Sequence, residues 1–307
     1  IAMQELEQNR EKRRQIGVII TCGTKETWRN TFDAMCENYY HDIEVGLQKE
    51  MMKNHCAFIV ERVDAMSANI RVPQILKEHL VDGVFIVGGV YRESLIRLVQ
   101  RYELPTVLIG RDHPKLDYVT SDYKDCVYKG IKYLLERGHR DILFINGPAN
   151  SATSLPKEQG LQKAFDEISK QVSEKWCVQS EFSGDGGYWA TKMAYENRRL
   201  RPTAIFAGSD TIAAGVLGYL YEQRLRVPDD VSVLAYERGM LTEYLTPVLT
   251  SIDVHKKEIG KKAGKIMIQR IEHPELPQQM CVVPAELYEG ASVRKIGRTD
   301  DSDEGKA

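Results

Sequence analysis

The stretch from Arg201 to Glu237 constrains the fold of this chain more than any other part of it. It contains two short apolar runs, AIFA and VSVLA, which predict buried parallel strands. Between them, apolar residues at helical spacing predict a helix over 212–221, which Asp210 or Thr211 could cap. A strand, a helix and a second strand in this order are typical of a parallel α/β sheet.

Polar residues directly follow both predicted strands. Ser209 and Asp210 come just after the first strand, and Glu237 comes just after the second. In open parallel sheets, ligands bind outside the carboxyl ends of the strands. We therefore expect a ligand site at these three residues, whatever the ligand is.

The composition is that of an ordinary globular protein with room for two domains. The chain has 307 residues and a formal net charge of −2, so it lacks the overall basic charge of a nucleic-acid-binding domain. No apolar run is long enough to span a membrane, and residues 1–15 lack the apolar core of a secretory signal. The six cysteines include no Cys-x-x-Cys pair, which favours free thiols in the cytoplasm over zinc ligands. Because the first residue is Ile1, the chain is expected to be a fragment or a processed form.

Four motifs resemble the effector-binding core of the lactose-repressor/galactose-repressor (LacI/GalR) family of bacterial transcription regulators. They are PTAIFAGSD, AAG, VPDDVSVLAYE and TPVLTSI, which follow one another along the chain. The resemblance covers about residues 16–296. It implies an α/β fold of two Rossmann-like lobes with parallel sheets, the periplasmic-binding-protein type I architecture. In that architecture three crossovers join the lobes, and a ligand binds between them and closes them by a hinge motion.

The resemblance also implies a division of the chain into lobes. A linker from a DNA-binding domain outside this chain is expected at one end, and the acidic, polar tail is expected to be disordered. The implied division is a linker at 1–15, an N-terminal lobe at 16–138 and 252–274, a C-terminal lobe at 139–251 and 275–297, and a tail at 298–307.

Three candidate ligand residues lie early in the chain. Cys22 lies at the carboxyl end of the predicted first strand, 16–20. The resemblance implies a short aromatic segment near the ligand, here Tyr39 and Tyr40, before an amphipathic helix predicted over 43–54. These two rings would stack on a sugar or a base, or would simply pack against that helix.

Two more candidates lie farther along the same predicted lobe. Arg111 follows the predicted fourth strand, and it could bind a carboxylate or phosphate bidentately or pair with Asp112. The resemblance matches Asp122 to a family aspartate before a long helix, where helix capping is the simpler interpretation. Asp125 is the ligand candidate on that helix, and Cys126 stands where the family usually has glycine.

The remaining candidates are Lys157 and Phe182. Family members carry an arginine near a helix start that grips the ligand, and Lys157 stands in the matching place. An ammonium is a point charge rather than a planar fork, so this difference alters the cleft relative to that of sugar-binding members. The alternative is an exposed lysine at a helix start. Phe182, at the end of a strand predicted over 176–182, matches a stacking aromatic of sugar-binding members. Its alternative is burial under Tyr188 and Trp189.

Two other departures from the family affect the expected cleft. The polar segment Thr24–Cys36 stands where the family has a shorter connection, and it would form an insertion at the mouth of the cleft. Glu237 stands where the family usually has aspartate. The identity of the effector therefore does not follow from the resemblance.

The resemblance implies a ligand-sensing effector domain of a bacterial repressor. Its expected partners are a small molecule, a sugar or sugar derivative, a second copy of the chain in a side-by-side homodimer, and operator DNA bound through a domain outside this chain. The sequence has no Ser-His-Asp motif, no metal-spaced histidine cluster and no phosphate loop, so no catalysis, metal or cofactor is predicted. Two alternatives stay open, namely a solute receptor of a sugar transporter and the sensor of a regulator with a different output domain.

Overall fold

A computed structural model describes residues 14–22, 32–65, 67, 69–88, 90–169, 176–197 and 199–297. Within these ranges the side chains of residues 22, 32–39 and 240 are outside the description. The predicted linker up to residue 13, the inserted residues 24–31 and the tail 298–307 also lie outside the described residues.

Strands and helices alternate along the described residues, as the sequence predicts. The strands are β1 (Gln15–Cys22), β2 (Ala57–Asp64), β3 (Gly83–Val87), β4 (Thr106–Ile109), β5 (Asp117–Ser121), β6 (Ile142–Asn146), β7 (Cys177–Gln179), β8 (Ala204–Ala207), β9 (Ser232–Tyr236), β10 (Thr250–Asp253), β11 (Met280–Val283) and β12 (Glu286–Tyr288). The helices are α1 (Phe32–Lys53), α2 (Gln74–Lys77), α3 (Glu93–Gln100), α4 (Tyr123–Glu136), α5 (Ser154–Asp166), α6 (Gly184–Glu196), α7 (Asp210–Glu222), α8 (Met240–Tyr244) and α9 (Lys256–Glu272).

The chain divides into two compact units, each built on one six-stranded sheet. The first unit ends at Asp122 and also holds Asn150–Thr153 and Val254–Pro284. The second unit holds Tyr123–Ala149, Ser154–Asp253 and the residues from Ala285 onward. These boundaries differ from the predicted ones, because α4 falls in the second unit and β11 in the first. The physical reason is packing and pairing, since α4 contacts β8, β9 and β10, while β11 pairs with β5.

The first unit is a parallel sheet of order β11-β5-β4-β3-β1-β2 with a core on both faces. Along β1, the alternate residues Ile16, Val18 and Ile20 join the core that includes residues of α1 and α9. Ile19 joins a second core with residues of α3. Strands buried on both faces explain why these segments are continuously apolar in the sequence.

Two helices of the first unit differ from their predicted extents. Helix α1 begins at Phe32, so Tyr39 and Tyr40 lie inside it, and the prediction that they precede a helix over 43–54 is wrong. No glycine or proline between Phe32 and Asp42 interrupts the longer helix. The apolar and polar spacing of residues 70–79 is also compatible with a helix, but only α2 forms, because Pro73 at its N-cap restricts the residue before it to extended backbone.

The second unit is a sheet of order β12-β10-β9-β8-β6-β7, in which only the pair β10–β12 is antiparallel. Strands β6, β8 and β9 are neighbours and are buried at every position. Their carboxyl ends therefore lie side by side, at Asn146, Ala207 and Tyr236. The predicted strand–helix–strand unit is confirmed as β8, α7 and β9.

The strand that the sequence predicts before helix α6 is shorter than expected, and this changes the place of Phe182. The predicted strand over 176–182 ends at Gln179, and Phe182 follows it in a loop. Helix α6 begins at Gly184, because the Oγ of Ser183 accepts a hydrogen bond from Gly186 N and caps its first turn. Residues 184–187, with the sequence GDGG, thus form the first turn of this helix.

Helices α6 and α7 pack at the closest approach that their backbones permit. A Cβ added at Gly215 of α7 would lie 1.9 Å from the carbonyl oxygen of Gly184 and 2.6 Å from the amide nitrogen of Tyr188. A Cβ added at Gly218, one turn later on the same helix, meets nothing within 4 Å. Only the first of these glycines is required by the packing.

We predict that Gly215→Ala destabilises the protein by about 1–3 kcal/mol, because the added methyl group forces the two helices apart. Gly218→Ala is the matched control, and it should leave stability unchanged or raise it by up to about 1 kcal/mol, since alanine favours helix over glycine. Urea unfolding followed by far-UV circular dichroism measures both. Equal stabilities of the two variants would contradict the close packing.

Candidate functional site

The carboxyl edge of the second sheet gathers polar and aromatic side chains from several elements. Ser209 and Asp210 follow β8, and Glu237 follows β9, as the sequence predicts, and all three are buried. Glu237 adopts a left-handed backbone conformation, with φ of +69°. Lys157 of α5 reaches the same edge, as shown by its contacts with the ends of β8 and β9.

Ser209 caps helix α7. Its Oγ accepts a hydrogen bond from Ile212 N at 3.1 Å, and its hydroxyl lies 2.8 Å from the hydroxyl of Thr211. The prediction that Asp210 or Thr211 caps this helix is wrong, because Ser209 has the extended backbone of an N-cap and Asp210 is already the first helical residue. The buried carboxyl of Asp210 therefore lies in the first turn, where the helix dipole favours negative charge.

Lys157 is one of the largest fully buried side chains, with 2% of its surface exposed. Its Nζ donates a hydrogen bond to the carbonyl oxygen of Gly208 at 2.9 Å. The same atom lies 3.9 Å from the ring centroid of Tyr236 and 5.4 Å from that of Phe182. The alternative that Lys157 is an exposed lysine at a helix start is therefore excluded, and the residue ties α5 to the end of β8.

The surroundings of Lys157 affect the pKa of its ammonium in opposite directions. Burial lowers the pKa of its ammonium to about 8, while electrostatic interactions with Glu237 and, to a smaller extent, with Cys126 raise it. Cys126 is buried on α4, so the position where the family usually has glycine contributes to the surroundings of this lysine.

Phe182 supplies an apolar surface at this edge. Its ring is partly buried against the core of the second unit and faces the ammonium of Lys157. Tyr188 and Trp189, the residues proposed to bury it, instead pack edge-on against each other with their ring centroids 5.5 Å apart. Whether Phe182 contacts a ligand stays a prediction.

Asn146 is a site residue that the sequence reasoning missed. It ends β6 and is fully buried. Its Nδ2 donates to the carbonyl oxygen of Ser154 at 3.0 Å and to Glu158 Oε1 at 3.1 Å, and its Oδ1 accepts from Gly147 N at 2.8 Å. Asn146 thus fixes the first turn of α5, and with it Lys157, against the sheet. The sequence feature that could have identified it is a polar residue at the end of an apolar run, here in DILFIN.

Asp125 has a different environment from the other second-unit candidates. Its carboxylate forms an ion pair with Lys129 at 2.8 Å, and 40% of its side chain is exposed. The pair links successive turns of α4, an arrangement that stabilises exposed helices. Its role as a ligand contact stays a prediction.

In the first unit, Arg111 lies among side chains that follow β3 and β4. Its Nη2 is 3.4 Å from Glu93 Oε2, and its guanidinium lies 5.1 Å from the ring centroid of Tyr91. The ion pair is thus with Glu93 rather than with Asp112, the partner that the sequence suggested. Burial raises the pKa of Tyr91 to about 12, so this phenol stays protonated beside the guanidinium. His113 lies on the other side of Glu93, with Nε2 at 3.5 Å from Oε1.

The other first-unit candidates are Cys22, Tyr39 and Tyr40. Tyr40 is half-buried and packs against the core that includes α1 and α9, which favours the packing interpretation of its ring. Cys22 ends β1 and Tyr39 lies in α1, but their side chains lie outside the described part of the chain.

Within the described residues, no three His, Cys, Asp or Glu side chains group in a way that would hold a metal ion. None of the helices in the described part of the chain has the length and apolar character needed to cross a membrane.

The buried ammonium predicts a characteristic pH dependence of stability. Below pH 8 Lys157 is protonated in both the folded and the unfolded chain. Between pH 8 and 10.5 the unfolded chain binds one proton more, so the free energy of unfolding should rise with pH by up to about 1.4 kcal/mol per unit. Lys157→Met lacks this contribution. Urea unfolding of both proteins at pH 7 to 10 measures the difference, and parallel pH curves would contradict the shifted pKa.

The chain matches known proteins in sequence and in structure. Residues 131–293, just over half of the chain, match the family of periplasmic binding protein-like domains. The HTH-type transcriptional repressor PurR of Proteus mirabilis is 34% identical over 224 residues, which are 71% of this chain and 65% of that protein. The chain thus spans less than two thirds of the length of this curated relative.

Two solved structures share the fold. A LacI family transcriptional regulator from Enterococcus faecium with bound ribose is 21% identical, with a TM-score of 0.77 over 92% of this chain and 100% of that one. The lac repressor dimer bound to operator and the anti-inducer ONPF is 17% identical, with a TM-score of 0.76 over 95% of this chain and 98% of that one. From its sequence match over more than half of its length, the chain belongs to the family of periplasmic binding protein-like domains.

Proposed function

We propose that this chain is the ligand-sensing domain of a bacterial transcription regulator and that a small molecule binds at the carboxyl edge of its second sheet. The observation that carries the proposal is the set of three buried polar side chains, Ser209, Asp210 and Glu237, at the ends of two neighbouring strands. Ligands of parallel α/β sheets bind beyond the carboxyl ends of the strands, so the concentration of buried polar side chains at this sheet edge favours a binding role.

The proposed ligand is a sugar or a sugar derivative. Carboxylates such as those of Asp210 and Glu237 accept hydrogen bonds from sugar hydroxyls, and the ring of Phe182 offers a surface for the apolar face of a sugar. The ribose bound to the regulator from Enterococcus faecium is consistent with this class. The ligand contacts in the second unit would be Ser209, Asp210, Glu237 and Phe182.

The proposed mode of action is a shift between two states of the regulator. A ligand that binds one state more tightly than the other moves their equilibrium and so changes the affinity for operator DNA. The DNA-binding part would lie outside this chain, and such a regulator would act in the cytoplasm, where its DNA is. The chain would act by binding and not by catalysis, in keeping with the repressor function named for its relatives.

Ligand binding should raise the thermal stability of the chain. A panel of mono- and disaccharides, sugar phosphates, sugar acids and purines can be screened by thermal unfolding. A ligand at 100 times its dissociation constant stabilises the folded state by about 2.7 kcal/mol, which shifts the midpoint by roughly 2–4 °C. Asp210→Asn and Glu237→Gln should abolish this shift, because each removes a buried acceptor charge.

Asp229→Asn is the control for these variants, since Asp229 lies in the turn before β9 with 62% of its side chain exposed. It should leave the ligand-induced shift intact. If no compound in the panel raises the thermal midpoint of the native chain, the sugar-effector proposal is refuted. If a compound raises the midpoint equally in the native chain and in both site variants, the ligand binds at a different site.

We also propose that the chain forms a homodimer through a face on α6 and α7, which we call the α6–α7 face. Three large side chains on these packed helices are exposed, Trp189 by 56%, Met193 by 49% and Tyr221 by 86%. Exposed apolar surface of this kind favours association between proteins. The lac repressor, which shares the fold, is a dimer in its solved structure.

The double variant Trp189→Glu, Met193→Glu should convert dimers to monomers, because it places two charges in the proposed interface. Sedimentation velocity at micromolar concentration measures the oligomeric state. Met280→Glu is the control, since Met280 is 65% exposed on β11 of the first unit and should not affect association. A native chain that sediments as a monomer would refute the homodimer, and a dimeric double variant would refute the α6–α7 face.

A further inference from the structure

We infer that the second unit holds a further ligand site, which takes a small molecule with an apolar body and one carboxylate group. The site is a cavity of about 480 Å³ between the last turns of α4 and α5 and the segment 295–297, and we call it the α4–α5 cavity. Its volume lies in the range of pockets that bind small organic molecules. The inference does not depend on the proposed function, because the cavity is separate from the candidate site.

The α4–α5 cavity lies at the amino edge of the second sheet. Arg140 lines it, and this residue stands two positions before Ile142, where β6 begins. The candidate site lies at the opposite edge, where β6 ends at Asn146. At about 3.3 Å per residue, the two ends of this strand are roughly 13 Å apart. A ligand could therefore occupy either site without touching the other.

The C-terminal segment forms a fixed wall of the cavity. The amide of Ile296 donates a hydrogen bond to the carbonyl oxygen of Arg137 at 2.9 Å, and Nε2 of His139 lies 3.1 Å from the carbonyl oxygen of Arg294. A Cβ added at Gly138 would lie 2.5 Å from the carbonyl oxygen of Ile296, and the φ of +94° at this residue also favours glycine. Hydrogen bonds and close backbone packing thus preform this wall.

Apolar side chains from each wall line the cavity. They are Leu135 of α4, Ala164 of α5, Ile168 just after α5, and Ile296. Leu135 and Ala164 are buried, whereas Ile168 is 38% exposed. An apolar ligand body would remove the exposed surface of Ile168 from water, which favours binding.

Arg140 supplies a cation that the protein already orients. Its Nη1 donates hydrogen bonds to the carbonyl oxygens of Leu135 at 2.8 Å and His139 at 2.9 Å. These bonds use both hydrogens of Nη1, and Nε and Nη2 donate to no other group within the described ranges. Nε and Nη2 form the edge of a guanidinium that can bind a carboxylate through two parallel hydrogen bonds. The end of α4 therefore holds the guanidinium and leaves this edge for a ligand.

The charges around the cavity favour an anion. Lys132, Arg140 and Lys295 line it together with Glu136 and Glu167, so the ionised side chains carry one net positive charge. Lys132 and Glu167 pair with each other, with Nζ 3.6 Å from Oε2. Lys295 is exposed and forms no ion pair with any residue that the structure describes. One carboxylate on the ligand would balance the charge that remains.

Isothermal titration calorimetry with matched ligands tests the inference. Indole-3-butyrate and 4-phenylbutyrate carry an apolar body and a carboxylate, their primary amides lack the charge, and acetate lacks the apolar body. We expect each acid to bind more tightly than its amide by roughly tenfold or more, because only the acid forms charge-assisted hydrogen bonds. Acetate should not bind at millimolar concentration. An acid that binds no more tightly than its amide would overturn the inference, and so would the failure of both acids to bind at millimolar concentration.

Variants of the cavity establish where the acids bind. Lys295→Met should weaken both acids several-fold, because it removes one cation, and Ile168→Glu should weaken them further, because it places a negative charge at the cavity. Lys265→Met is the matched control, since it removes an equal charge from an exposed position on α9 of the first unit. Equal affinities in Lys295→Met and Lys265→Met would overturn the inference.

A variant at the opposite edge separates the two sites. Asp210→Asn removes a contact of the proposed sugar site, and it should leave the affinity for both acids unchanged. Loss of acid binding in this variant would place the acids at the candidate site and would overturn the inference of a further site.

Arg140→Lys tests the paired hydrogen bonds to the carboxylate. The variant keeps the positive charge but lacks the planar fork, so it should weaken the acids several-fold and leave the amides unchanged. Because Arg140 also binds the end of α4, far-UV circular dichroism and the thermal midpoint must show that the variant is folded. A folded Arg140→Lys that binds the acids as tightly as the native chain would overturn the role of Arg140. If the variant does not fold, Lys295→Met and Ile168→Glu decide the inference.

Discussion

The contact between helices α4 and α5 determines where the candidate site can form. A Cβ at Gly160 of α5 would lie 2.2 Å from the carbonyl oxygen of Lys124 on α4, so only glycine permits this approach. Lys157 lies one turn before Gly160, and the approach brings it near Cys126 and within reach of Gly208. Asn146 holds the same helical turn from the sheet side. Backbone packing therefore brings the ammonium to this edge, where its own interactions then hold it.

Burial of that ammonium has a cost that its neighbours offset. Removing a charge from water costs several kcal/mol unless it is paired and hydrogen-bonded. The carbonyl of Gly208, the ring of Tyr236 and the negative charge of Glu237 supply these compensations from the ends of β8 and β9. Each of them also lies next to a proposed ligand contact. The interactions that offset the cost of burying the ammonium thus also connect it to the ends of β8 and β9.

The sequence predicts the second sheet well because its strands are buried on both faces. Continuous apolar runs of four or five residues identify β6, β8 and β9, and the rule that ligands bind beyond the carboxyl ends of strands then identifies Asp210 and Glu237. Both residues are indeed buried at that edge. Local pattern was sufficient here because the strand period, the turn and the helix all agree.

The sequence fails where tertiary packing decides between local alternatives. Three consecutive polar residues could each have capped α7, and only the backbone conformation selects Ser209. The position of α4 is also not local, because it follows a strand of the first sheet but packs on the second. Lys157 is the clearest case, since a lysine in the first turn of a helix is ordinarily solvated. Its burial depends on Gly160, Asn146 and Gly208, which are distant in the chain or unremarkable in local pattern.

Lys157 stands where the resemblance places an arginine, and the two side chains differ in the hydrogen-bond donors that they can offer to a ligand. An arginine in this place could pair with the protein and still present donors to a ligand through its planar fork. The ammonium of Lys157 donates to the carbonyl of Gly208 and lies near the rings of Tyr236 and Phe182, and the charge of Glu237 acts on it. These interactions orient it toward the protein, so its contribution to the proposed site is to hold the turn after β8 in place.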